Sequence, residues 1–451
     1  MSRNRSGLAT AVSPCTRTLC RAVAGALLMI VLCDVSFGYS VLTHEQIVDL
    51  LWLDQIRPML LQRFPGVSPE DLRKAHAYAY GGCMLQDMGY YSFGNKYFSD
   101  LVHYVRSGDF VENLVEESSN LNEYAFALGA LAHYASDTTG HPAVNRVVAM
   151  EFPRLRQRYG DRVTYAQDPK AHIQAEFGLD MEQVAKDRFT SDTYHDFIGF
   201  EVSSGVLQRA FERTYNIPLK SVFSNLDLSI GSYRRAISKI IPKMTKAALL
   251  AHGKDLVREK PDFNKKKFLY NLSRANYEKE WGKTYQKPGI GTRILAFFLK
   301  FVPKIGPFKA VAFKDPSPAA EDLYMKSVND TVEEYRRVLR DAKDRHFDLP
   351  NKDFDTGRET RAGEYVLTDR AYARLLNELA ERRFTTVTPE LRADILKFYS
   401  NLNAPIATKR DKKGWERTVQ ELDALRQQVP QPGAIQPAAM IDSHSGADKQ
   451  R

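Results

Sequence analysis

The stretch Asn122–Asp137, NEYAFALGALAHYASD, constrains this chain more than any other. Ala and Leu dominate it, and apolar side chains fall on nearly every face of the helix they predict. Such a helix has no face to give to water. It must stand at the centre of a domain with other helices packed around it.

The remaining sequence supplies those helices. His44–Phe64 carries apolar residues at i, i+3, i+4 spacing, and Pro65-Gly66 ends the run. Ser68 before Pro69 and Glu70 is an N-cap signature. Asp168–Gly178 begins another helix, with Pro169 in its first turn. Amphipathic helices are expected at roughly 192–214, 221–250, 254–281, 318–344, 368–383, 389–403 and 414–428. Gly89–Tyr104 reads as aromatic-rich and irregular. No alternating strand run competes and no short-period repeat is present, so the fold class is all-α. Hydrophobic residues at 43% and charged residues at 26% exclude a disordered chain and a polytopic membrane protein.

Residues 1–38 have the form of a secretory signal. Arg3, Arg5, Arg17 and Arg21 precede or flank an apolar run, Ala22–Cys33, too short to span a bilayer well. Ser36 and Gly38 are the small residues wanted for cleavage before Tyr39. The expected destination is the periplasm or the exterior; an uncleaved anchor is the alternative. Of four cysteines only Cys83 survives that cleavage, so the mature chain relies on its core and on any metal rather than on disulfides. Cys83 itself reads as a small core residue. The expected organisation is a helical catalytic domain over 39–254, a helical extension over 255–429 and a Pro/Ala-rich tail over 430–451. Within the extension, residues 283–314 hold seven cations and no acid, interleaved with Phe, Ile, Leu and Val and broken by Pro303 and Pro307. That pattern suits an anionic lipid surface, or equally a core helix pair with a basic rim. The net charge of +9 comes without Arg-rich runs or RNP-like aromatic motifs, which disfavours nucleic acid as a partner.

Polar chemistry enters the central helix at its end. His133, Asp137 and His141 are spaced H-x3-D-x3-H, and at ~100° per residue a step of four leaves neighbouring side chains only ~40° apart. Two imidazoles and a carboxylate on one face suit zinc. Gly140 and Pro142 bracket His141, so the helix is expected to end there and turn His141 into the adjoining cavity. His172 and Glu176 form a second one-turn pair, H-x3-E, while His44, Asp87 and His103 stand on other segments. Singly each has an ordinary structural explanation; together they put five His, two Asp and one Glu within one region of predicted helices. His76, His195, His252, His346 and His444 show no comparable partners.

At these residues the chain resembles the zinc-dependent phospholipase C family, an all-helical bundle around a cluster of three zinc ions to which fungal single-strand-specific nucleases are more distantly related. The motifs AYAYGGCMLQDMGYY, LVHY, GALAHYASDTTGHP and HIQAE carry the resemblance, over residues 39 to roughly 180. It implies that Asp87, His103, His133 and Asp137 bind one zinc, and that His141, His172 and Glu176 bind a second. His44 and Asp137 would hold a third, with the α-amino group and carbonyl of Tyr39 once cleavage has freed them. Two departures stand out. Tyr39 occupies a position commonly Trp, and the family's secreted bacillus-type enzymes carry H-x3-D-x5-H. The shorter spacing is similar to the branch containing glycosylphosphatidylinositol-specific phospholipase D.

The resemblance implies hydrolysis of phospholipid by metal-activated water, with Asp137 bridging metals and Asp87 both ligating and accepting the water's proton. The expected partner is a phospholipid or membrane surface. Tyr90, Tyr91, Phe93, Tyr97 and Phe98 either wall a head-group pocket or form ordinary aromatic core, the second being favoured. The alternatives are a nuclease or nucleotidase of the same fold, and a zinc-stabilised surface-binding protein without turnover.

Overall fold

The computed structural model describes residues 41–185, 200–237, 316–343 and 347–428. The signal-like segment, Tyr39, the basic segment 283–314, the helix expected at 254–281, the tail, and His195, His252, His346 and His444 lie outside the described residues.

Helix α1, Val41–Leu51, and α2, Arg57–Arg63, are joined by a widened π turn at Trp52–Ile56. Pro58 explains the break: it has no N–H for the Asp54 carbonyl, and the Arg57 amide reaches back to Trp52 instead. Helix α3, Pro69–Cys83, opens on the expected cap, where Ser68 Oγ accepts the Asp71 amide at 3.1 Å and the Asp71 carboxylate accepts the Ser68 amide at 3.2 Å. Gly89–Tyr104 is more regular than its composition suggested. A 3-10 turn, Leu85–Tyr90, leads through Asn95, whose side chain caps the Tyr97 amide, into α4, Lys96–Tyr104. Helix α5, Ser107–Glu116, precedes the central helix α6, Leu121–Glu151, which Asn120 caps through the Glu123 amide at 3.0 Å.

Helix α6 is buried along most of its length, as its apolar faces require. It does not end at Gly140. It runs through His141 and Pro142 to Glu151, correcting the expected boundary. Pro142 still leaves the Thr138 carbonyl without its helical donor, a defect worth about 3 kcal/mol in an exposed helix. Here packing on all sides holds the helix, and Gly357 covers the break: a Cβ on that residue, whose φ is +68°, would stand 2.3 Å from Thr138 O. Helices α3 and α6 cross where Gly82 meets the Phe126 carbonyl and Gly129 meets the Ala79 carbonyl, each too close to admit a Cβ.

Around this pair pack α7, Pro153–Tyr159; α8, Pro169–Ala185; α9, Ser204–Tyr215; the short α10, Leu219–Val222; and α11, Leu226–Arg235. From the later chain come α12, Pro318–Lys343; α13, Val366–Glu381; α14, Pro389–Phe398; and α15, Lys412–Gln427. Helix α12 lies along α6, its Tyr335 hydroxyl donating to Leu128 O at 2.8 Å, so both parts of the chain share one apolar core. Among the described residues there is no strand, only one isolated bridge between Lys352 and Glu359, and no helix long and apolar enough to cross a membrane. The fold is all-α.

Candidate metal centre

Five elements bring the eight described candidate ligands to one buried place. His44 comes from α1, Asp87 from the 3-10 turn, and His103 from α4. His133, Asp137 and His141 come from α6, and His172 and Glu176 from α8. None is more than 3% exposed, which for eight polar side chains demands compensation.

Asp137 is the hub. Its Oδ1 faces His44 Nε2 at 3.4 Å and His141 Nε2 at 3.7 Å, and its Oδ2 faces His133 Nε2 at 3.0 Å and His103 Nε2 at 3.5 Å. Asp87 Oδ1 stands 3.4 Å from His103 Nε2. His44, Asp87 and His133 offer atoms within 4.8 Å of one another, as do His103, His133 and Asp137. At the other end, Glu176 Oε1 lies 2.6 Å from His172 Nδ1 and 4.0 Å from His141 Nε2.

The surrounding chain fixes which nitrogen each ring presents. His133 Nδ1 sits 2.8 Å from the Cys83 carbonyl and His103 Nδ1 2.8 Å from the Ser99 carbonyl; a carbonyl only accepts, so both Nε2 atoms keep their lone pairs for the cluster. His172 is turned the other way. Its Nε2 donates to Asn145 Oδ1 at 2.9 Å, leaving Nδ1 toward Glu176. The turn carrying Asp87 is pinned by Ser99 Oγ, which accepts the Gly89 amide at 3.0 Å and donates to the Gln86 carbonyl at 2.5 Å. Leu42 N and Thr43 Oγ1 both donate to Asp180, one turn beyond Glu176, at 3.0 and 2.6 Å, tying the start of α1 to the helix that carries a ligand pair.

These residues fit zinc. Both oxygens of Asp87, Asp137 and Glu176, with His133 Nε2 and His172 Nδ1, are buried without a hydrogen-bond partner. His172 Nδ1 and Glu176 Oε1 are both acceptors, so their 2.6 Å approach needs a cation or a proton between them. The charge balance agrees. Burial, then repulsion from Asp137, Asp87 and Asp355, pushes the Glu176 carboxyl well above the usual range. Burial and the neighbouring His141 pull His172 down to about 3, which keeps it neutral and able to ligate. Burial also opposes charge on His103, but Asp137 and Asp87 override it and lift the ring to about 10, so without a cation beside it the ring itself takes the proton that the two carboxylates attract. Imidazole and carboxylate donors in a closed, dry cluster are a zinc set.

Sequence reasoning did not find every participant. Asn145 orients His172, and Phe354 packs its ring 5.3 Å from His103 and 6.0 Å from His133. Asp355 Oδ1 stands 3.2 Å from His141 Nδ1. The only cue to the last two was DFDTG at 353–357, a polar break between predicted helices, and nothing in it named a partner. The aromatic group divides. Tyr97 and Phe98 are core, Tyr91 packs edge-on to Tyr233, Phe93 is exposed, and Tyr90 borders the centre 5.9 Å from His103. Cys83 is buried core, as expected. His76 belongs elsewhere, bonded to Asp49 at 2.9 Å and stacked on Trp52.

Residues 43–225 match the family model described as zinc dependent phospholipase C. No curated protein and no solved structure matches the chain. The matched span contains all eight clustered ligands, and over residues 43–225 the chain is similar to the zinc-dependent phospholipase C family.

Proposed function

We propose that the chain is an exported zinc-dependent phosphodiesterase that hydrolyses phospholipids in the manner of a phospholipase C. The observation that carries this reading is Asp137, a buried carboxylate with no hydrogen-bond donor on either oxygen and four imidazoles around it. His44, Asp87, His103, His133, Asp137, His141, His172 and Glu176 would hold up to three zinc ions. The terminal amine and carbonyl of Tyr39 would complete the set after residues 1–38 are removed, and the anchoring of Leu42 and Thr43 on Asp180 supports that role. Zinc, when bound, supplies positive charge that stabilises the phosphodiester transition state and makes water acidic enough to deprotonate near neutral pH.

The chain's own residues do the rest. Asp137 divides its two oxygens between His44 and His141 on one side and His133 and His103 on the other, the arrangement a bridging ligand needs. Asp87, with both oxygens free of donors, takes the proton of the attacking water. The buried rings of Phe354 and Tyr90 keep bulk water from the ligands, strengthening every charge interaction within. Attack at phosphorus breaks the bond to the diacylglycerol oxygen, which leaves as the alcohol with the proton taken from the water, and releases a phosphorylated head group.

The test is turnover by the mature, zinc-loaded protein on phosphatidylcholine, a phosphoinositide and single-stranded DNA. Release of phosphorylated head group supports the proposal. Nucleotide release alone, or zinc binding without turnover on any substrate, overturns it. Export is read separately, by sequencing the amino terminus of the protein recovered outside the cytoplasm; a chain still beginning at Met1 overturns that part.

A further inference from the structure

The metal centre has a wall that the matched region does not supply. Phe354 and Asp355, in the segment 347–361, reach the end of the cluster, and Asp355, like Asp353, is only 3% exposed. Its Oδ1 lies 3.2 Å from His141 Nδ1. Its Oδ2 accepts the Tyr104 hydroxyl at 3.0 Å and also the Tyr365 hydroxyl. Its backbone carbonyl accepts Asn145 Nδ2 at 2.7 Å. The turn is shaped locally by Asp353, which accepts the Thr356 amide at 3.1 Å and the Thr368 hydroxyl at 2.9 Å.

We propose that Asp355 is a positioning residue of the metal centre: its Oδ1, at ion-pair distance from His141 Nδ1, draws the ring's proton to that nitrogen and so leaves Nε2 facing Asp137 and Glu176. The proposal rests on the reading of the cluster as a zinc site. His103, His133 and His172 each lean on a neutral oxygen, from Ser99, Cys83 and Asn145. His141 leans on a carboxylate. A charged acceptor behind an imidazole fixes its tautomer and makes the opposite nitrogen a stronger donor. Tyr104 and Tyr365 both donate to Oδ2 and occupy it, so Asp355 serves the ligand rather than replacing it. The later chain thus completes a centre whose described ligands all lie between His44 and Glu176.

The experiment uses the full mature chain and reads metal, not turnover. Zinc affinity is measured by competition with a chromogenic chelator, zinc content by elemental analysis, and ligand geometry by the visible spectrum of the cobalt-substituted protein. Asp355→Asn keeps shape and an acceptor but removes the charge. Asp355→Ala removes both. Roughly 10–100-fold weaker zinc binding is expected in Asp355→Ala, a smaller loss in Asp355→Asn, and an altered cobalt spectrum in each. Asp355→Glu should recover part of the affinity. Circular dichroism of the zinc-free proteins reports the fold. If Asp355→Ala does not fold, Asp355→Asn decides, and wild-type affinity with a wild-type cobalt spectrum there overturns the proposal. A wild-type chain that binds no zinc overturns the metal reading itself, a result distinct from binding that Asp355 does not affect.

Discussion

Asn145 Oδ1 accepts a hydrogen bond from His172 Nε2 at 2.9 Å, one turn beyond His141 on the central helix. That bond decides which nitrogen of His172 faces Glu176. Replacing Asn145 with Ala removes it, together with the tie to the Asp355 carbonyl. The ring is then free to flip. Asn145→Ala is expected to weaken zinc binding about 10–100-fold at the site of His172 and Glu176, measured by chelator competition. An unchanged affinity would show that the ring is held by packing alone.

Gly357→Ala tests the closure over the proline break. The residue sits at φ +68°, and a Cβ would meet Thr138 O at 2.3 Å and Pro142 Cγ at 2.9 Å. A strained backbone of this kind costs roughly 1–3 kcal/mol, and the close approach adds to it. The expected outcome is a lower denaturant midpoint with weaker zinc binding, because the loop bearing Asp355 must back away. Wild-type stability in this variant would contradict the tight fit.

Removal of metal should be felt by the whole fold. Without zinc the chain must bury unpartnered oxygens on Asp87, Asp137 and Glu176. A ligand present at 100 times its dissociation constant stabilises the folded state by about 2.7 kcal/mol per site. Exhaustive chelation is therefore expected to lower the melting temperature by several degrees and re-addition of zinc to restore it, as read by scanning calorimetry. A melting curve indifferent to chelator would argue against a resident metal.

Glu112 offers a pH dependence away from the metal. Burial lifts its carboxyl to about 7; the Leu349 amide opposes the shift, while Asp109, Asp348 and Glu116 add to it. The folded state therefore holds this proton more tightly than the unfolded chain does. Its contribution is fully present below the ordinary carboxyl range and is lost as pH rises through about 7. Glu112→Gln keeps an acceptor for Leu349 and cannot ionise. The melting temperature of the variant minus that of wild type should grow between pH 5 and pH 8, and parallel pH profiles would refute the assignment.

How much of this was legible in the sequence follows from distance along the chain. His133 with Asp137, and His172 with Glu176, are one-turn pairs, and helical geometry alone puts each pair on one face. The apolar faces of Asn122–Asp137 likewise dictated a central helix. Pro142 misled, because a local rule for helix ends was overruled by packing from a residue far away, Gly357. Asp355 could not be linked to His141 for the same reason. Its partners lie on α4, α6 and the start of α13, and no spacing in the sequence encodes their meeting.

The covering of Thr138 by Gly357 also orders events in time. A ribosome finishes the last clustered ligand, Glu176, long before it reaches the glycine that covers the Thr138 carbonyl. The residues of the cluster are therefore all present in the growing chain before the loop that covers the proline break beside it.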